Sequence, residues 1–255
     1  MRDDGGVPDD LGSLAAGLAT LLVVALVATR LGGLRRQREL VVVTVRAVGQ
    51  ILLVGLVIAA VLRTPALAPA YLAVMVVVAT ATSARRIRVP GASWPAAGAA
   101  ITAGSALTVL VVVLTRAVPF DVRHVVPLAA QVVGGAMTAT SLAGQRFVDQ
   151  VATEWAEVEG WLAIGATAAQ AVQTQGRVAA ARALVPALDQ TRNVGLVTLP
   201  GAYVGLLLAG ASPLDAGRLQ LLVLVGLLAA ESVAVVVVTR MLAHSLGSVK
   251  VAVSA

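Results

Sequence analysis

The chain has 255 residues, 58% of them apolar and only 13% charged, with a mean hydropathy of +0.92. Soluble domains carry roughly a quarter charged residues, so this balance belongs to an all-α polytopic integral membrane protein of an inner or plasma membrane. Cysteine is absent, which excludes disulfides, thiolate metal sites and cysteine nucleophiles. The net charge of +6 is dispersed between apolar runs, a pattern of membrane topology and not of a nucleic-acid surface.

The first ten residues, with Asp3, Asp4, Asp9 and Asp10, lack the basic region and cleavage site of a signal peptide. They read as a short acidic tail outside the cell. A membrane domain over 11–240 follows, with a cytoplasmic tail over 241–255. Stretches of about 20 apolar residues, long enough to cross a bilayer, predict seven spans near 11–29, 40–62, 66–84, 94–114, 124–144, 193–211 and 219–239. Arg30, Arg35, Arg36 and Arg38 follow the first span and Arg85, Arg86 and Arg88 the third. Arg146, Arg177, Arg182 and Arg192 follow the fifth, and Arg240 and Lys250 the seventh. Thirteen basic residues thus lie on one side against five on the other. The positive-inside rule then predicts an external N-terminus and a cytoplasmic C-terminus.

The segment 145–192 is far longer than the other loops and reads as a helical cytoplasmic connection. Trp155, Val158 and Leu162 share one helical face, and Gln170, Gln173 and Arg177 a polar one. Gly165, Ala166 and Thr167 predict a tight turn, with a second helix ending at Pro186. By this pattern alone the segment is either a surface connector anchored by its tryptophans or a docking surface for a cytoplasmic partner. Where it ends, Asp189 and Arg192 are expected at the cytoplasmic mouth of span six, tying the loop to that span.

Several residues inside spans stand out. Gly134, Gly135 and Met137 in span five, and Leu199, Pro200 and Gly201 in span six, interrupt otherwise apolar helices. They serve either close helix packing or a translocation path with a hinge. Arg46 lies near the end of span two and suits snorkelling. Glu231 is the one acid deep in a span and is a functional suspect by its depth. No Walker motif is present and the single lysine is Lys250, so any ATP chemistry belongs to another chain. His124 and His244 fall near opposite faces and Ser141 has no paired base in its span, which leaves no catalytic constellation. With two histidines and four methionines the chain has no evident metal-ligand set.

The stretch "EGWLAIGATAAQAV" is similar to the coupling segment of ABC-transporter permeases. Together with "RAVGQILLVG", "GGAM" and "PALDQTRNVGLVTLPGAYVG", it makes the chain resemble the FetB-like permeases from about Arg46 to Arg240. That family includes iron exporters and the plant aluminium-tolerance membrane proteins. Gly135 replaces an asparagine of the family pattern. The resemblance implies the permease subunit of an ABC transporter, an exporter of iron or another metal acting as a homodimer. Glu159, Ile164, Gly165, Ala166 and Thr167 would receive a separate cytoplasmic ATPase that binds ATP and Mg, with no cofactor on this chain. A proton-coupled secondary transporter and a non-transporting seven-span scaffold are the alternatives, the first resting on Glu231.

Overall fold

The computed structural model describes residues 11–246 and Val249. The predicted acidic tail 1–10 and the end of the C-terminal tail, Lys250 included, lie outside the described residues. The chain divides after Arg63 into two units.

The first unit is a helical hairpin of α1 (Leu11–Leu31) and α2 (Gln37–Arg63). Gly33 takes φ +69° after α1. The amide of Leu34 donates to the Thr29 carbonyl and that of Gly33 to the Arg30 carbonyl, a Schellman ending that only a residue at ease with positive φ closes cheaply. Both helices are long and apolar enough to cross a membrane. Arg46 lies on α2 and is exposed.

The second unit begins with a short 3-10 turn and α3 (Ala68–Ile87), followed by α4 (Ser93–Leu114), α5 (Val122–Thr153), α6 (Trp155–Ala163), α7 (Ala168–Ala171), α8 (Gln173–Asn193), α9 (Gly201–Leu208) and α10 (Pro213–His244). Asp121 caps α5, accepting from the His124 amide at 2.9 Å. A hydrogen bond from the His124 ring holds its carboxyl below the usual carboxylate range.

Small residues set the spacing of the bundle. A Cβ at Gly104 on α4 would lie 2.4 Å from the Ala230 carbonyl oxygen on α10, so only glycine permits that backbone approach. Ala97, Ala100, Ala136, Ala230 and Ala234 are fully buried around it. In lipid, where apolar surface gains little by association, such close van der Waals packing supplies the cohesion. Ser83 and Ser141 join α3 to α5: their hydroxyls lie 2.9 Å apart and both are within reach of the Met137 carbonyl, so one donates to the carbonyl and the other to its partner hydroxyl. Ser141 is therefore a packing residue.

The predicted sixth span, 193–211, is not one helix. Among the described residues six continuous helices meet the length and hydropathy needed to cross a membrane, and α9 is not one of them. Its eight residues rise only about 12 Å against a hydrocarbon core of about 30 Å. The second loop helix likewise does not stop at Pro186. After a turn at Gly165, where φ is +92°, come the single turn of α7 and then α8, which runs through Pro186 to Asn193.

Proline at 186 offers no N–H to the carbonyl four residues back, at Arg182. The Arg146 guanidinium from α5 donates to that same Arg182 carbonyl. A side chain thus replaces the missing backbone donor, and the helix continues. We expect Arg146→Met to destabilise the protein by about 0.5–1.5 kcal/mol, the net worth of one hydrogen bond at an exposed carbonyl. Pro186→Ala should cost less in the Arg146→Met background than alone, because alanine restores the donor. Thermal unfolding of the four proteins in detergent gives the cycle, and additive effects would refute the exchange of donors.

Candidate functional site

α5 and α10 run parallel. Gly135 packs on Leu227 and Glu231, while Phe147 and Thr239 meet further along at Gly176 of α8. The chain between them must therefore return along the bundle, and α8 makes most of that return. A polar ladder fixes its direction. Gln175 donates to Glu154 at 2.9 Å, Gln150 donates to the other carboxylate oxygen of Glu154, and Arg182 donates to Gln150 at 3.2 Å. Residues 175 to 182 thus descend beside 154 to 150. Gln175 is 1% exposed, so the ladder begins inside the α5–α8 contact and reaches the surface at Arg182.

Further along, Ala183, Pro186 and Gln190 of α8 face Gln131, Gly134, Gly135 and Thr138 of α5 and Glu231 of α10 across a cavity of about 330 Å³. Three groups from three helices, the amides of Gln131 and Gln190 and the carboxyl of Glu231, converge on a mostly apolar chamber. Cavities of this size and mixed lining, with a few convergent polar groups, suit small-molecule or ion binding. Glu231 makes no ion pair or hydrogen bond among the described residues, so its carboxyl stands available to an occupant. Among those residues no three His, Asp or Glu side chains come together, and an ion here would meet one carboxylate and neutral amides.

Beyond Gln190 the helix breaks. The Asn193 carbonyl accepts from the amides of Leu196 and Val197, and Gly195, at φ +79°, donates to Thr198. Pro200 sits at the N-cap of α9, with φ −65° and ψ 145°. It is a helix boundary and not a kink within a helix, because a proline fits naturally where the amide would be unpaired anyway. Leu199 and Pro200 line a second cavity of about 410 Å³, with Tyr203 and Gln220 among its other walls. Gly201 opens α9.

Asp189 and Arg192 differ from the sequence expectation. They bond to each other, 3.5 Å apart on α8 and partly exposed, so they tie no second element down. Lying on either side of Gln190, they stand level with Gly135 and Glu231 and not at a loop mouth. Met137 turns its side chain to the packed core and leaves the chamber to the two glycines. Arg46 belongs to the other unit.

The loop residues Glu159 and Ile164 to Thr167 lie on α6 and the turn that follows it. Glu159 lies on α6, Ile164 is 76% exposed at its C-cap, and Gly165 and Ala166 make the turn. Thr167 and Gln170 form a reciprocal capping box that starts α7. Val158 is buried beneath, which anchors the loop to the bundle and leaves its tip projecting.

A family model described as "Uncharacterised protein family (UPF0014)" matches residues 13–246. The chain belongs to this family. It is 35% identical to the UPF0014 membrane protein STAR2 of Oryza sativa subsp. japonica over 90% of this chain and 80% of the relative. It is 40% identical to Protein ALUMINUM SENSITIVE 3 of Arabidopsis thaliana over 59% of this chain and 55% of the relative. Identity to the "Probable iron export permease protein FetB" of Escherichia coli is 29%, over 88% and 87%. No solved structure matches. The resemblance read from the motifs is thus borne out, and this UPF0014 chain is a multi-pass membrane protein with one relative named as an iron export permease.

Within this family member, the space beside Gly135 is already taken. A Cβ at 135 would lie 2.7 Å from both Glu231 Oε1 and Leu227 Cδ2, so the Glu231 carboxyl occupies the place of a side chain at 135. Sequence reasoning missed Gln131 and Gln190; an amide within an apolar run was the available signal for Gln131, whereas Gln190 sits among Asp189, Thr191 and Arg192 and gave none. Gly135→Ala should displace the Glu231 and Leu227 tips at a stability cost under about 1 kcal/mol. Gly134→Ala, with nothing within 4 Å of its added carbon, should be neutral. Transport by the two reconstituted variants checks this, and equal activities would remove the 135–231 contact from the working site.

Proposed function

We propose that this chain is the permease subunit of an ABC transporter, a homodimer that moves its cargo along the chamber of Gln131, Gln190 and Glu231 while a separate ATPase docks on α6 and α7. The carrying observation is mechanical continuity. The exposed tip from Ile164 to Thr167 leads through α7 into α8, and α8 itself forms one wall of the chamber. A push on the tip therefore reaches the chamber through one rigid helix, and the irregular 194–200 segment gives that helix a free end on which to move.

Counting α8, the break and α9 as one discontinuous crossing restores seven passes and opposite ends for the chain. Arg85, Arg86, Arg88, Arg146, Arg177, Arg182 and Arg240 lie toward the end of the bundle that carries α6 and α7, which supports a cytoplasmic position for that end. Export, and iron or another metal as cargo, rest on the FetB relative's name. The single carboxylate and two amides suit a cation with oxygen ligands better than one that needs thiolate or imidazole.

The test is reconstitution with the ATPase subunit and measurement of ATP turnover with and without candidate cations. Ile164→Asp, at an exposed position, should leave the fold intact and reduce turnover stimulation at least tenfold, a loss of about 1.4 kcal/mol in docking. Glu231→Gln should keep basal turnover and lose the cation response. Unchanged ATPase binding and turnover in Ile164→Asp would refute the docking tip. Cargo uptake driven by a pH gradient without ATP, and lost in Glu231→Gln, would instead establish the proton-coupled alternative.

A further inference from the structure

A cleft between α8 and α10 is separate from the chamber and from the docking tip. About 330 Å³ in volume, it is lined by Arg177, Arg240 and His244 above an apolar floor that includes Val172 and Val236. None of its lining residues is acidic. Arg177 and Arg240 are exposed and make no ion pair among the described residues. Two guanidinium groups that line one cleft without a counter-charge leave it cationic, and an anion seated there gains charge-assisted hydrogen bonds.

Depth identifies the anion's carrier. Gly176 touches both Phe147 of α5 and Thr239 of α10, and Gly144 of α5 meets Ile87 of α3. Arg177 and Arg240 therefore stand at the same level as Arg146 and the Arg86–Arg88 pair, which line a further cleft with Arg146. This level is where the apolar run of α10 ends, after Val235–Val238. A ring of arginines at one depth, following the last apolar turn, marks the boundary between acyl chains and headgroups. A site there with a cationic rim and an apolar floor matches a phosphate ester attached to an acyl chain.

We propose that the α8–α10 cleft binds the phosphate of an anionic phospholipid headgroup, with the first methylenes of an acyl chain on Val172 and Val236. Arg177 and Arg240 share the phosphate oxygens, and Ala169 and Val172 carry the bound headgroup's effect to α7 and the base of the projecting tip. The lipid braces α8 against α10, so membrane composition sets how firmly the return helix is held. This inference does not depend on the transport reading.

The experiment is thermal unfolding of the full chain in detergent with added phosphatidylglycerol, phosphatidylcholine of the same chains, or inorganic phosphate. Phosphatidylglycerol should raise the midpoint by on the order of 5 °C and the other two by far less. Arg177→Gln with Arg240→Gln should erase that rise, Arg177→Lys with Arg240→Lys should keep part of it, and Arg116→Gln with Arg123→Gln at the opposite end should keep all of it. An equal rise with phosphatidylcholine, or a rise that survives the double glutamine change, overturns the site. An equal rise with inorganic phosphate overturns the lipid as its source. Should the glutamine variant fail to fold, a photoactivatable phosphatidylglycerol decides on the wild type. Labelling of α8 and α10 peptides around 177 and 240 is the expected result, and labelling only elsewhere overturns the proposal.

Discussion

Two long helices that run parallel oblige the chain between them to travel back, and most of this molecule follows from that obligation. α5 and α10 are 32 residues each, about 48 Å at 1.5 Å per residue. Their contact is set by small residues that let Leu227 and Glu231 reach Gly135. The returning chain cannot be an ordinary lipid-facing helix, because α8 carries Arg177, Arg182, Asp189 and Arg192. It is instead held by polar contacts to its neighbours, with Gln175, Gln150 and Glu154 bonded in series.

The exchange at Pro186 illustrates how this return is made possible. A proline in a helix ordinarily ends it or kinks it, since one carbonyl loses its donor. Arg146 supplies the donor from a different helix, so the same contact that repairs α8 also pins it to α5. Repair and docking are one interaction. The price is a chain that must break further on, at Asn193–Pro200, where glycine at positive φ and proline at a cap give the backbone a way out of the helix.

Function, in the proposed reading, sits on this same return. The chamber exists because α8 approaches α5 and α10 without filling the space left by Gly134 and Gly135. The projecting turn at Gly165 lies at the other end of the same stretch of chain. Between the two, the cationic cleft at Arg177 and Arg240 lies against the membrane boundary. In this reading α8 carries walls of both the cleft and the chamber, and the docking tip precedes it by the single turn of α7.

Much of this was legible in the residues. Apolar runs of spanning length, the helical loop, the turn at Gly165 to Thr167 and the family motifs all depend on local composition or short-range order, which a sequence states directly. Glu231 could be singled out because a lone acid in an apolar run is conspicuous whatever it faces. The course of α8 could not be read. Its mean composition is polar, which places it outside the membrane by any window of hydropathy, and only the fold shows that it packs along α5 and α10. Nor could the apolar 193–211 stretch reveal that it is broken, since hydropathy is blind to where backbone bonds go. Composition determined that this chain lives in a bilayer and which segments are helical. Tertiary packing decided which polar residues enter with them, because their cost is cancelled only by partners far away in the chain.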